Sequence, residues 1–185
     1  MRLDHIETWV FDLDNTLYPA TCRLFDQVDR NMGAFICEFL KPDPVEARAL
    51  QKRYLKEFGT TLRGLMVNHD CPPERFLEAA HAIDYSAVQG DARLDRALEA
   101  LPGRKLIFTN GSVPHAERVL DRLGVGRHFA GVFDIVAAGY LPKPERAAYE
   151  GLVRAHALDP RRAALIEDLP RNLVPAAALG MTTVL

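Results

Sequence analysis

Two periodicities divide this chain. Trp9-Val10-Phe11 is a short apolar run ending in Asp12-Leu13-Asp14, and residues 8–13 read as a buried strand. After it the period lengthens. Val28, Met32, Phe35, Ile36 and Phe39 recur at helical spacing, predicting an amphipathic helix over 25–40, with Asp26 as its cap and Pro42 and Pro44 at its exit. A second helix is predicted over 45–58, stopped by Gly59. Residues 59–65 form a break or a new helix start, and 73–83 read as a further helix. Nearly all of 20–88 is therefore helical, inserted straight after the first strand.

Beyond residue 90, helices and strands alternate. Helices are predicted over 91–101, 114–123, 144–157 and 172–179, and strands over 105–109, 133–137 and 163–166; a fifth strand begins at 181–185. Gly124 and Gly180 stop two of the helices. This alternation implies an α/β fold: a parallel sheet with helices on both faces, which binds ligands outside the carboxyl ends of its strands. Residues 1–19 with 89–185 are the expected core domain, and 20–88 the helical insert.

Bulk properties narrow the function. A hydrophobic share of 48% and a charged share of 26% are ordinary for a globular protein, and a net charge of −2 offers no basic field to a nucleic acid polymer. Cys22, Cys37 and Cys71 make neither a CxxC nor an even framework, which favours reduced thiols and a cytoplasmic protein. No two histidines have metal-ligand spacing. Residues 1–7 lack the basic-then-apolar pattern of a signal peptide, and no apolar run approaches the ~20 residues a membrane span needs.

The candidate chemistry lies at the strand ends. In an extended strand, residues i and i+2 face the same side, so Asp12 and Asp14 project together. Two carboxylates so close need a cation or a shared proton to offset their repulsion. Taken alone, they read equally well as turn formers. Thr109-Asn110-Gly111 alone makes a good turn, Lys143-Pro144 a solvated pair before a helix, and Glu167-Asp168 a helix cap. Turn chemistry alone does not account for all four sets falling in order on one rim of a parallel sheet.

This ordered set resembles the haloacid dehalogenase superfamily of phosphatases. Their DxDxT motif corresponds to Asp12-Leu13-Asp14-Asn15-Thr16, the strand-end hydroxyl to Thr109, the lysine to Lys143, and the acidic pair to Glu167-Asp168. The resemblance spans essentially the whole chain and implies a Rossmann-like parallel sheet with an inserted α-helical cap. Asp12 to Pro19, the segment 59–65, and Asn172-Leu173 placed four residues after Asp168 are similar to the pyrimidine 5′-nucleotidase branch.

The resemblance also implies roles. Asp12 would attack phosphorus and form an aspartyl phosphate, and Asp14 would act as general acid and base. Mg²⁺ would be held by the Asp12 carboxylate, the Asp14 main-chain carbonyl and Asp168, with Glu167 and Asn172 behind them. The Thr109 hydroxyl and the Asn110 and Gly111 amides would cradle phosphoryl oxygens, and Lys143 would balance charge. In the cap, Arg63 and His69 are candidates for reaching a base or ribose, although His69 beside Asp70 also reads as a surface residue. Phe25, Phe35, Phe39 and Tyr54 are expected in the core of the insert, with Cys22 and Cys37 buried.

The expected partner is a small phosphomonoester, a pyrimidine nucleoside monophosphate in the narrower reading, with no nucleic acid polymer and no membrane, and a monomer or homodimer as the working form. The alternatives are a phosphatase for a sugar phosphate or phosphoglycolate, a phosphomutase, or an idle binding domain. A dehalogenase lacks a second aspartate at the Asp14 position, and an idle copy would be expected to have lost one of Asp12, Asp14, Lys143 or Asp168.

Overall fold

The computed structural model describes residues 3–185 and divides into two compact units. One comprises the chain up to Cys22 together with Val88–Leu185; the other is Arg23–Ala87.

The first unit is built on a five-stranded parallel sheet in the order β3-β2-β1-β4-β5: β1 Thr8–Phe11, β2 Arg104–Phe108, β3 Val132–Phe133, β4 Ala163–Ile166 and β5 Thr182–Val184. The strands are apolar on both faces because helices cover both. Val10, Leu106, Phe108, Phe133 and Leu165 join Tyr149 and Leu152 in one buried cluster. The Phe108 ring meets Phe133 and Tyr149 edge-on, at centroid distances of 5.8 and 5.1 Å. Helices α5 Ala92–Ala100, α6 Val113–Leu123, α7 Arg146–His156 and α8 Pro170–Ala178 connect the strands.

Four expectations in this unit need correction. β1 stops at Phe11 rather than 13, where the chain turns and the Thr16 and Leu17 amides donate to the Leu13 carbonyl. β3 stops at Phe133 rather than 137, because buried Asp134 accepts from the Val113 and Ala137 amides at 2.9 and 2.8 Å and closes a turn. α7 starts at Arg146 rather than 144, because the Asn110 side chain captures both backbone groups of Lys143. α8 begins at Pro170, two residues early, with proline in the first turn where its missing N–H costs nothing.

The second unit contains α1 Leu24–Leu40, α2 Pro44–Phe58, α3 Thr61–His69 and α4 Pro73–Ala80, with α1 packed on α2 and α4, and α2 on α3. Segment 59–65 is a helix start: Gly59 ends α2 at φ 79°, and the Thr60 hydroxyl caps α3 by accepting from the Arg63 amide. Gly64 lets α2 and α3 approach closely, since a Cβ there would collide with the Tyr54 ring. Asp26 does not cap α1; it lies in the first turn, paired with Arg23 at 2.7 Å. α4 ends at Ala80 rather than 83, because Asn31 and Gln27 of α1 hydrogen-bond the backbone of Ala82 and Asp84. Phe35 and Tyr54 are buried and Phe39 stacks on Phe35, but Phe25 is 49% exposed, and Cys22 and Cys37 are only half-buried. Among the described residues, no helix is long and apolar enough to cross a membrane.

Candidate active site

Register assembles the site. Phe11 lies level with Ile107 on one side and Ile166 on the other, so Asp12 emerges level with Phe108 and Glu167. The Asp12 amide donates to the Ile166 carbonyl at 2.9 Å and fixes that level. Lys143 arrives from the loop before α7. The Asn110 side chain holds it there, with Oδ1 accepting from the Lys143 amide at 2.8 Å and Nδ2 donating to its carbonyl at 3.3 Å. Lys143 is 3% exposed, and its Nζ donates to Asp12 Oδ1 at 2.7 Å, Glu167 Oε2 at 2.7 Å and the Phe108 carbonyl at 2.9 Å. The second Asp12 oxygen accepts from the Thr16 hydroxyl at 2.8 Å.

Asp14 has different surroundings. Its Oδ1 accepts from the Tyr18 hydroxyl at 2.6 Å and shares a hydrogen bond with His115 Nε2 at 2.8 Å. His115 sits in the first turn of α6 and is 1% exposed. The Thr109 Oγ1 accepts from the Gly111 amide at 2.9 Å. A Cβ at Gly111 would stand 3.0 Å from His115 Cδ2 and 3.3 Å from Thr109 Oγ1, so only glycine lets these groups close in without displacing a neighbour.

Charge is unbalanced on the Lys143 side. Asp12, Glu167 and Asp168 each place one carboxylate oxygen within 4.8 Å of the others, against a single buried ammonium. Burial pushes the Asp12 carboxyl above its ordinary value against the pull of Lys143, and Glu167 pushes it further. Burial also raises Glu167; Lys143 draws it back, and a hydrogen bond from Asn172 does so more weakly. Burial alone would lower the Lys143 ammonium, but Asp12 and Glu167 outweigh it and hold it above its ordinary value. Three hard oxygen donors around one positive charge fit a small divalent cation of the Mg²⁺ type. Burial, then the Asp14 carboxylate, lifts the Tyr18 phenol far above the usual range, so it remains a donor.

Among the residues expected at the site, Asp12, Asp14, Thr109, Asn110, Gly111, Lys143, Glu167, Asp168 and Asn172 all belong to the α/β unit. Glu167, expected behind the ligands, has an oxygen in the acidic cluster itself. Asn110, singled out for its amide, uses its side chain to clamp Lys143, and the Gly111 amide, expected to face a phosphoryl oxygen, meets Thr109 instead. Arg63 is half-buried on α3 of the helical unit, and His69 is bound to the Tyr54 hydroxyl at 2.6 Å within that same unit. Sequence reasoning placed Thr16 in the DxDxT motif without a contact and assigned no role to Tyr18, His115 or Asp134. Thr16 and Tyr18 each lie four residues after the aspartate they hold, which is a detectable signal. His115 lies 101 residues from Asp14 and gives none.

The curated Phosphate metabolism protein 8 of Saccharomyces cerevisiae is 26% identical over 193 residues, covering 95% of this chain; the chain spans only 60% of that relative's length. The L-2-haloacid dehalogenase of Xanthobacter autotrophicus superposes with a TM-score of 0.61 at 18% identity, covering 96% of this chain and 76% of its own. The UTR4 protein of Saccharomyces cerevisiae does so with a TM-score of 0.57 at 15% identity, covering 97% and 89%. These structures share the fold. The family model for haloacid dehalogenase-like hydrolases matches residues 6–180, the span that holds Asp12, Thr109, Lys143, Glu167 and Asp168, and this chain belongs to that family.

Proposed function

We propose that the protein is a Mg²⁺-dependent phosphomonoester hydrolase that works through an aspartyl phosphate, with a pyrimidine nucleoside monophosphate as its substrate class. The observation that carries this reading is the separate treatment of two neighbouring aspartates. Asp12 is held by an ammonium and a hydroxyl, and Asp14 by a phenol and an imidazole. A carboxylate nucleophile needs the first environment, and a group exchanging protons with an alkoxide needs the second. Halide departs without a proton, so a dedicated second aspartate favours a phosphate ester over a haloacid.

In the first half-reaction a carboxylate oxygen of Asp12 attacks phosphorus, the bond to the leaving oxygen breaks, and that oxygen takes its proton from Asp14. In the second, water attacks the aspartyl phosphate, gives its proton to Asp14, and Asp12 departs as carboxylate. Lys143 stabilises charge on Asp12 and the transferring group throughout. Asp12 and Asp168, with Glu167 beside them, would hold Mg²⁺, which when bound supplies the positive charge needed for a dianionic substrate to approach a carboxylate.

The name of the yeast relative, which speaks of phosphate metabolism, supports phosphate ester chemistry. The narrower substrate class rests on the similarity of residues 12–19 and 59–65 to pyrimidine nucleotidases. The same reading takes the protein to be cytoplasmic, acting on a free small molecule as monomer or homodimer. The test is phosphate release across nucleotides, sugar phosphates, phosphoglycolate and p-nitrophenyl phosphate, with and without excess EDTA. Turnover that EDTA abolishes and Mg²⁺ restores, highest on UMP or CMP, is expected. Full turnover in EDTA refutes the metal, and release from haloacids alone refutes the phosphatase.

A further inference from the structure

We infer that Tyr149 is a positioning residue for the acidic cluster: its hydroxyl holds the start of α8 so that the Asn172 side chain stays aimed at Glu167. This rests on the reading of Asp12, Glu167 and Asp168 as a Mg²⁺ site. Tyr149 lies on α7, downstream of Lys143, and donates to the Asn172 main-chain carbonyl at 2.6 Å. Asn172 lies in the first turn of α8, just after the acidic pair. The hydrogen bond therefore joins the helix that follows the Lys143 loop to the helix that follows Glu167 and Asp168.

Packing aims the phenol. Tyr149 is fully buried, its ring meets Phe108 edge-on, and the Phe108 carbonyl accepts from Lys143. A hydroxyl in the interior is costly unless it is hydrogen-bonded, and this one spends its proton on α8. Burial, then the Glu167 and Asp12 carboxylates, lifts the phenol far above its ordinary value, so it remains a donor. Asn172 depends on that hold. It is 3% exposed, and its side chain donates to Glu167, while its Oδ1 is buried and makes no hydrogen bond among the described residues. An amide bonded at one end only can swing about its side-chain torsions, and the grip on the main-chain carbonyl fixes where those torsions begin. Glu167 in turn binds Lys143 and shares the cluster with Asp12 and Asp168, so a displaced Asn172 disturbs the oxygens that face the cation.

Tyr149→Phe deletes the hydroxyl and keeps the ring. The experiment titrates Mg²⁺ into substrate-free wild type, Tyr149→Phe, Asn172→Ala and the double variant, reading Kd by calorimetry, with Tm measured in EDTA alongside. Loss of a group that orients a metal ligand weakens metal binding by about 10–100-fold, so Asn172→Ala should raise Kd within that range and Tyr149→Phe by about tenfold. The double variant should bind no more weakly than Asn172→Ala alone, because the hydroxyl acts through a side chain that is already gone. A Tyr149→Phe protein with a lower Tm and the wild-type Kd overturns the positioning role, since the hydroxyl then serves the fold alone. Losses that multiply in the double variant overturn it too, since the effect then bypasses Asn172. Should Tyr149→Phe fail to fold, Tyr149→Met, which also lacks the hydroxyl and fills the space flexibly, takes its place with the same expected Kd. In each of these outcomes Mg²⁺ binding by the wild type leaves the metal reading standing. A wild type that binds no Mg²⁺ overturns that reading and this inference with it.

Discussion

Lys143→Met removes the single cation from the acidic cluster while keeping the length and packing of the side chain. Nζ makes two charge-assisted hydrogen bonds of 2.7 Å and one carbonyl bond of 2.9 Å, all buried. Breaking a buried ion pair from one side costs about 3–5 kcal/mol, because the partner charges stay buried without compensation. For a chain of this size each kcal/mol shifts Tm by about 2–4 °C, so the variant should melt about 6–20 °C lower in chelator. The loss depends on pH with a definite sign. The folded-state values of Asp12 and Glu167 are raised by burial even with Lys143 present. A raised carboxyl contributes stability that is fully present below its unfolded value and is lost as pH rises through its folded value. Removing Lys143 removes the pull that opposed the rise and lifts both values further. The deficit should therefore be small at about pH 5, where the variant's carboxyls bind protons, and full at about pH 8. Thermal unfolding of both proteins with EDTA at the two pH values measures it. A deficit independent of pH, or below about 1 kcal/mol at the higher pH, refutes the argument that Lys143 compensates buried charge.

Other expectations follow from single contacts. Gly64→Ala should lose about 1–3 kcal/mol to overpacking despite alanine's better helix propensity, because the new Cβ falls 2.8 Å from Tyr54 Cδ1; urea denaturation at wild-type stability would refute it. Asn110→Ala frees the Lys143 backbone and should lower kcat/KM on p-nitrophenyl phosphate about tenfold to a hundredfold, whereas an unchanged value would show that the loop holds Lys143 without the clamp. Arg63→Ala should lower kcat/KM on UMP about three- to tenfold, the worth of one hydrogen bond to a neutral group, and leave p-nitrophenyl phosphate nearly untouched; an unchanged ratio removes Arg63 from specificity.

Much of the fold was legible because local rules and tertiary demands coincide. Strand β4 at Ala163–Ile166 reads directly as an apolar run, and Gly59 and Gly124 end their helices in the left-handed conformation a side chain resists. The apolar run places Asp12 just past a strand end, but β1 stops at Phe11 and Asp14 lies in the turn that follows, outside the strand alternation expected to pair them; the alternation of elements brings Lys143 and Glu167 to the same rim. What escaped was decided by side chains reaching backbone across the fold. Asp134 truncates β3, Gln27 and Asn31 unwind the end of α4, and Asn110 delays α7. His115 escaped because its contact with the Asp14 carboxylate spans 101 residues and exists only in the folded chain. Phe25, expected in the core of the insert, lies in the first turn of α1 and leaves its ring half in solvent.

The position of β1 in the sheet has a consequence for the order of assembly. This strand pairs with β2 and β4, yet 92 residues separate Phe11 from the first residue of β2 at Arg104, and the four helices of Arg23–Ala87 fill most of that gap. On a ribosome adding about 5–20 residues per second, β1 would wait on the order of 5–20 s for its first partner and longer for its second. The helices need only neighbours close in sequence and face no such delay. Hydrogen exchange labelled during refolding should therefore find α1 to α4 protected before β1. The Asp12 and Asp14 carboxylates, carried just beyond the strand that is synthesised first, would be among the last groups to reach their final surroundings.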